Sequence, residues 1–105
     1  MKTGVFDTGL TYDGITPVRI HVTAREGRYA FSDGGGAVAA AGVDPRGVSF
    51  DDELVMGEFS ANVSRKGVVS LPGFERSSDE WLRKLPELVT EASVALYEAL
   101  LELDE

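Results

Sequence analysis

The last third of the chain carries an apolar stripe that can be buried only against a second layer of structure. Apolar side chains recur there at the spacing of one helix face, at Trp81, Leu82, Leu85, Leu88, Val89, Ala92, Leu96, Leu100 and Leu103. Ser77 followed by Glu80 is a capping box, which predicts where this helix begins. Pro86 lies inside the pattern and removes one backbone hydrogen bond, so we expect either a kink or two helices.

The layer that covers this stripe is predicted to be a sheet. Over Pro17–Arg25 apolar residues alternate with polar ones, which is the period of a strand with one buried face. Glu26-Gly27 has the composition of a two-residue hairpin turn. Such a turn places Val22 opposite Phe31, so that the apolar side chains of both strands share one face.

Further elements flank this hairpin. A strand over residues 5–12 precedes it, and a short helix over residues 37–41 follows it, capped by Asp33 or Ser32. Residues 59–63 and 68–71 are predicted to form a second hairpin that ends at Pro72-Gly73, whereas residues 48–58 are ambiguous. The order β-β-β-α-β-β-α predicts a single α+β domain over residues 1–105. Its antiparallel sheet, of about five strands, would pack against the long C-terminal helix.

Composition restricts the chemistry and the setting. The 105 residues contain no cysteine, which excludes disulfides, thiolate metal sites and cysteine nucleophiles. The N-terminus has no signal-peptide pattern, and no apolar run is long enough to span a bilayer. We therefore expect a cytoplasmic protein that holds no cofactor and no metal.

Acidic residues are concentrated in the second half of the chain. Residues 1–50 hold five basic and five acidic side chains, whereas residues 51–105 hold five basic and thirteen acidic ones. This half repels nucleic acid and anionic membranes and attracts a basic protein surface. We predict a basic protein partner that binds the acidic residues Asp51, Asp52, Glu53, Glu58, Glu91, Glu98 and Glu102. Two alternatives stay open, namely a homo-oligomer and a solvated acidic surface that only maintains solubility.

A glycine-rich turn after the first hairpin is the second candidate site. It would hold an anion or a small ligand through Arg19, His21, Asp33, Gly34 and Gly35. The turn lacks the Lys-Ser/Thr pair of a P-loop. Because neighbouring strand residues point to opposite faces, His21 cannot contact both Ser32 and Asp33 as a catalytic triad requires. We identify no catalytic residues and favour binding over catalysis.

Two segments carry a family resemblance. They are Arg28-Tyr29-Ala30-Phe31-Ser32-Asp33-Gly34-Gly35 and Asn62-Val63-Ser64-Arg65-Lys66-Gly67-Val68-Val69. Together with a long C-terminal helix, they make the chain similar to the bacterial and phage "domain of unknown function 1828" family. The resemblance implies a strand pair, a Ser/Thr-Asp-x-Gly turn, a short helix and a bacterial or phage setting. It implies no activity.

The sequence leaves two functional hypotheses. The first is a non-catalytic acidic interaction module that docks on a basic, nucleic-acid-binding protein through its C-terminal half. An inhibitor or immunity-type protein is a special case of this hypothesis. The alternative is a small ligand-binding or enzymatic domain that uses the Asp33 turn with His21 and Arg19.

Overall fold

A computed structural model describes residues 2–74 and 79–103 of the chain. The elements within these ranges are β1 (Lys2–Thr11), β2 (Pro17–Arg25), β3 (Arg28–Ser32), α1 (Gly36–Ala41), a 3₁₀-helix (Pro45–Gly47), β4 (Glu53–Val55), β5 (Ser60–Val63), β6 (Val69–Phe74) and α2 (Asp79–Leu103). The α+β class and the long C-terminal helix are confirmed. The sheet has six strands rather than about five, because β4 forms within the ambiguous segment 48–58.

The strands join one antiparallel sheet in the order β1-β2-β3-β6-β5-β4. The β2–β3 hairpin has the predicted register, with Val22 opposite Phe31 and His21 opposite Ser32. Its turn residues Glu26 and Gly27 adopt φ angles of 50° and 74°. Two positive φ angles are what a two-residue turn between twisted strands requires. The hairpin prediction is therefore confirmed in both its pattern and its turn.

The two faces of the sheet differ in what covers them. Residues such as Val18, Ile20 and Phe31 are buried in one core cluster with the apolar stripe of α2. The intervening residues, such as Arg19 and His21, are exposed. We call these two surfaces the helix face and the open face. The core therefore lies between the helix face and α2, and the open face has no second layer among the described residues.

Strand β6 continues through Pro72 and Gly73, so the prediction that this pair ends the strand is wrong. Its pairing with β5 stops at Ser70. Pro72 therefore lies beyond the part of β6 that pairs with β5, where its missing N–H removes no hydrogen bond to β5. A Cβ on Gly73 would lie 2.9 Å from Leu85 Cδ1 and 3.0 Å from Leu82 Cδ2. Glycine at this position lets α2 approach the strand rather than making a turn.

Helix α2 is one continuous helix of 25 residues that contains Pro86, so the two-helix alternative is wrong. Leu85, Val89 and Leu96 are buried on both sides of the proline turn. Burial of each such side chain stabilises the fold by about 1.5–3 kcal/mol, which offsets the roughly 3 kcal/mol that an internal proline costs. The predicted cap Ser77 lies outside the described residues. Among the residues that are described, neither helix has the length and apolar character needed to cross a bilayer.

Candidate functional site

The exposed side of α2 carries a continuous row of carboxylates. Glu80, Glu87, Glu91, Glu98 and Glu102 follow one another at intervals of seven, four, seven and four residues. At 3.6 residues per turn, these intervals keep all five on one side of the helix. All five are exposed. We call this row the acidic face of α2.

Lys84 forms an ion pair with this row. Lys84 Nζ lies 3.4 Å from Glu80 Oε1, in an i,i+4 ion pair. Beyond Lys84 the sequence has no Lys or Arg. Glu87 with Glu91, and Glu98 with Glu102, are i,i+4 pairs of like charge, which destabilise an isolated helix. The acidic face therefore concentrates negative charge at a cost in helix stability.

An apolar groove adjoins the acidic face. It has a volume of about 570 Å³ and lies between β1 and α2. Its lining includes Phe6, Leu10, Pro86, Glu87, Thr90 and Glu91. Phe6 is 40% exposed and Leu10 is 55% exposed. We call this concavity the β1–α2 groove. It combines apolar side chains with two carboxylates of the acidic face, one of which, Glu91, was predicted from the sequence.

The predicted acidic residues of segment 51–58 lie elsewhere. Strand β4 is at the opposite edge of the sheet from β1. Asp51 and Glu53 line a cavity of about 200 Å³ with Ala99 and Leu103, near the C-terminal end of α2. Glu58 lies in the turn between β4 and β5. The fold therefore brings Asp51 and Glu53 to the end of α2 that also carries Glu98 and Glu102, while Glu91 lies in the β1–α2 groove.

Asp52 differs from its neighbours because basic residues line the same cleft. It lines a cleft of about 790 Å³ together with Arg46, Arg65 and Lys66. Arg46 is itself paired with Asp44, with 3.2 Å between Nη2 and Oδ2.

Among the described residues, no group of three or more His, Cys, Asp or Glu side chains is arranged to hold a metal ion.

The Asp33 turn is built into the core. Asp33 is 2% exposed. Its Oδ1 accepts hydrogen bonds from the backbone N–H groups of Gly35, at 2.9 Å, and Val69, at 3.0 Å. The N-cap of α1 is Gly35, and no side chain caps this helix, so the prediction that Asp33 or Ser32 does so is wrong. The Asp33 carboxylate instead joins the start of α1 to β6.

A buried hydroxyl pair completes this connection. Ser93 Oγ, on α2, donates a 2.7 Å hydrogen bond to Asp33 Oδ2. The Tyr12 hydroxyl lies 2.6 Å from Ser93 Oγ. Because the Ser93 proton is directed at Asp33, Tyr12 is the donor in this second bond. Burial of the Tyr12 hydroxyl is the main reason that its pKa is raised, and the nearby Asp33 charge adds to the effect. The only sequence signal for this network is Ser93, a polar residue on the buried side of α2.

His21 and Arg19 lie on the other side of the sheet. Both are exposed on the open face. The imidazole of His21 packs against Gly34, so closely that a Cβ at position 34 would overlap the ring. Asp33 is buried on the core side. The structure therefore brings His21 to Gly34 but separates it from the Asp33 carboxylate, and Gly35 follows as the N-cap of α1.

No family model, curated protein or solved structure matches this chain. The functional conclusion therefore depends on the geometry and charge of the site. The resemblance to the bacterial and phage family stays a prediction.

Proposed function

We propose that this protein is a non-catalytic interaction module that docks on a basic protein partner through the acidic face of α2. The observation that carries the proposal is the row of five exposed glutamates beside a partly apolar groove. Opposite charge steers a basic partner to this surface, and apolar contacts in the groove stabilise the complex after the encounter.

A nucleic-acid-binding protein is the partner class that we favour. Such proteins present clustered Lys and Arg to the phosphate backbone. A rigid row of carboxylates on a helix offers the same charge to those side chains. An inhibitor or immunity-type protein is a special case of this proposal that the charge asymmetry supports. The family resemblance adds only a bacterial or phage setting.

The ligand-turn hypothesis has less support from the geometry. Asp33 has both carboxylate oxygens engaged by Gly35, Val69 and Ser93 within the fold. Its side chain holds α1, β6 and α2 together. A ligand that displaced these contacts would leave buried donors unpaired, which costs about 1–3 kcal/mol for each group.

Capture of partners from a lysate at two salt concentrations tests the proposal. The tagged protein is used at about 0.1 M and 0.5 M salt, because the screening length shortens from about 10 Å toward 3 Å as the salt approaches 1 M. We expect a stoichiometric basic protein at the lower salt that is lost at the higher one. The proposal is wrong if no protein is retained at either salt, or if the retained protein is acidic.

A further inference from the structure

We propose that the partner contributes an extended segment that adds to the free edge of β1 and directs basic side chains into the β1–α2 groove. This inference rests on the proposed function and names its mode of recognition. The expected ligand is a polypeptide strand in which basic residues alternate with apolar ones. Two observations carry it: among the described strands β1 is paired on one side only, and the charge of the adjoining groove is negative.

The outer edge of β1 lacks the usual protective features over residues 3–6. Strand β1 has 10 residues and pairs only with β2 among the described strands. Every second residue of an edge strand therefore directs its N–H and C=O groups away from the sheet. Edge strands are normally protected by charged residues, proline or a bulge. Residues 3–6 contain no charged residue and no proline.

Exposed apolar side chains lie on this same stretch. Val5 is 57% exposed and Phe6 is 40% exposed. Residues 2–7 pair in regular register with β2, and the register shifts only between Asp7 and Thr11. A strand of about six residues, roughly 20 Å long, can therefore extend the sheet before the irregular segment begins.

The register fixes where the side chains of an added strand would point. Phe6 lies opposite Ile20, which is buried on the helix face, whereas Val5 lies opposite His21 on the open face. Side chains of an added strand alternate in the same way. One set therefore lies beside Val5. The side chains of the other set lie beside Phe6 and point toward Glu87 and Glu91 in the β1–α2 groove.

Among the side chains of the added strand that point into the groove, lysine and arginine are favoured. The aliphatic part of these side chains packs on apolar surface, while the charged end reaches a carboxylate. A second copy of this chain is disfavoured as the occupant. Pairing of two β1 edges would bring the Glu87 and Glu91 carboxylates of both copies close together, and like charges repel. Charge complementarity therefore selects a basic strand.

Binding of a synthetic peptide tests this inference. The probe is a nine-residue peptide in which Lys and Val alternate, titrated in low salt and followed by NMR of the full chain. We expect the amides of residues 3–6 to shift, and those that point away from β2 to gain protection from hydrogen exchange. Methylation of the peptide's backbone nitrogens keeps its charges but removes its N–H donors. This change should weaken binding at least tenfold, and a Glu-Val peptide should not bind.

Charge reversal supplies a matched pair of variants. Glu87→Lys with Glu91→Lys should weaken Lys-Val peptide binding at least tenfold. Glu26→Lys with Asp44→Lys makes the same change in net charge at exposed positions outside both the groove and the acidic face, and should weaken it less than threefold. Equal binding of the N-methylated peptide would overturn strand addition but leave acidic docking intact. An unresponsive β1 would do the same. A dimer formed through β1 that the peptide does not displace would assign this edge to a second copy of the chain and would also overturn the inference. Failure of every basic probe and of partner capture would overturn both proposals.

Discussion

Ser93 Oγ donates a 2.7 Å hydrogen bond to Asp33 Oδ2 in the core of the protein. These residues are 60 positions apart in the chain. Their contact fixes α2, and with it the acidic face, against the turn that joins β3 to α1. Every buried side-chain nitrogen and oxygen in the described part of the chain has a hydrogen-bond partner. We therefore expect the network of Asp33, Ser93 and Tyr12 to determine stability rather than chemistry.

Replacement of Asp33 tests that role. Asp33→Ala leaves the Gly35 and Val69 N–H groups and the Ser93 hydroxyl without their acceptor. Because each unpaired buried group costs about 1–3 kcal/mol, we expect the free energy of unfolding to fall by about 3 kcal/mol or more. Asp33→Asn keeps an oxygen for the two N–H groups, and its amide can donate to Ser93. Urea unfolding should therefore show a loss for Asn less than half that for Ala, and equal losses would contradict the assignment.

Alkaline pH tests the environment of Tyr12. Its pKa is raised in the folded protein, chiefly by burial. The unfolded chain therefore ionises first, so the stabilisation present below about pH 10 is lost as the pH rises through the higher folded value. Thermal unfolding of Tyr12→Phe should lack this component of the alkaline decline. At neutral pH the same variant should lose about 1 kcal/mol, because its hydrogen bond to Ser93 is absent. A wild-type alkaline profile in Tyr12→Phe would refute the prediction.

Gly34 and His21 should behave as a coupled pair. Gly34 has φ +61°, and a Cβ there would overlap the His21 ring. Gly34→Ala should therefore destabilise the fold through both backbone strain and a clash. In the His21→Ala background the clash is absent, and only the strain of roughly 1–2 kcal/mol should remain. A double-mutant cycle measures the difference, and strictly additive effects would show that the ring does not pack on Gly34.

Repulsion between carboxylates on the acidic face should lower the free energy of unfolding relative to a neutral or mixed surface. Glu102→Lys converts a repulsive i,i+4 pair with Glu98 into an attractive one and adds a positive charge near the C-terminus of α2. We expect stabilisation of about 0.5–1 kcal/mol, with Glu102→Gln giving about half of this. Midpoints of urea unfolding provide the measurement. Destabilisation by Glu102→Lys would show that the carboxylate has a structural role in the fold.

Local patterns in the sequence were sufficient to predict the first hairpin. The alternation over Pro17–Arg25 and the composition of Glu26-Gly27 independently indicate the same register, and the structure has it. The long helix was also predicted from a local pattern, the helical spacing of its apolar residues. Local signals were misleading at Pro72-Gly73, where a turn-like pair is a strand on which Leu82 and Leu85 pack closely. Tertiary packing, which no short segment encodes, decides that position.

The candidate site was predicted only in part. Glu91, Glu98 and Glu102 were identified from charge, and their alignment along one side of α2 follows from their spacing. The β1–α2 groove was not predicted, because it requires residues near position 6 and near position 87 to come together. The network of Tyr12, Asp33 and Ser93 was missed for the same reason, since 81 positions separate its ends.

Capture of a partner by charge-reversed variants tests the central claim most directly. Three tagged baits are compared in the same lysate at about 0.1 M salt, where charged surfaces still attract over about 10 Å: the wild type, Glu98→Lys with Glu102→Lys, and the control Glu26→Lys in the β2–β3 turn. If the acidic face of α2 is the docking surface, the double variant should retain at least tenfold less of the basic partner. Glu26→Lys should retain it at the wild-type level. Equal retention by all three baits would contradict the proposal.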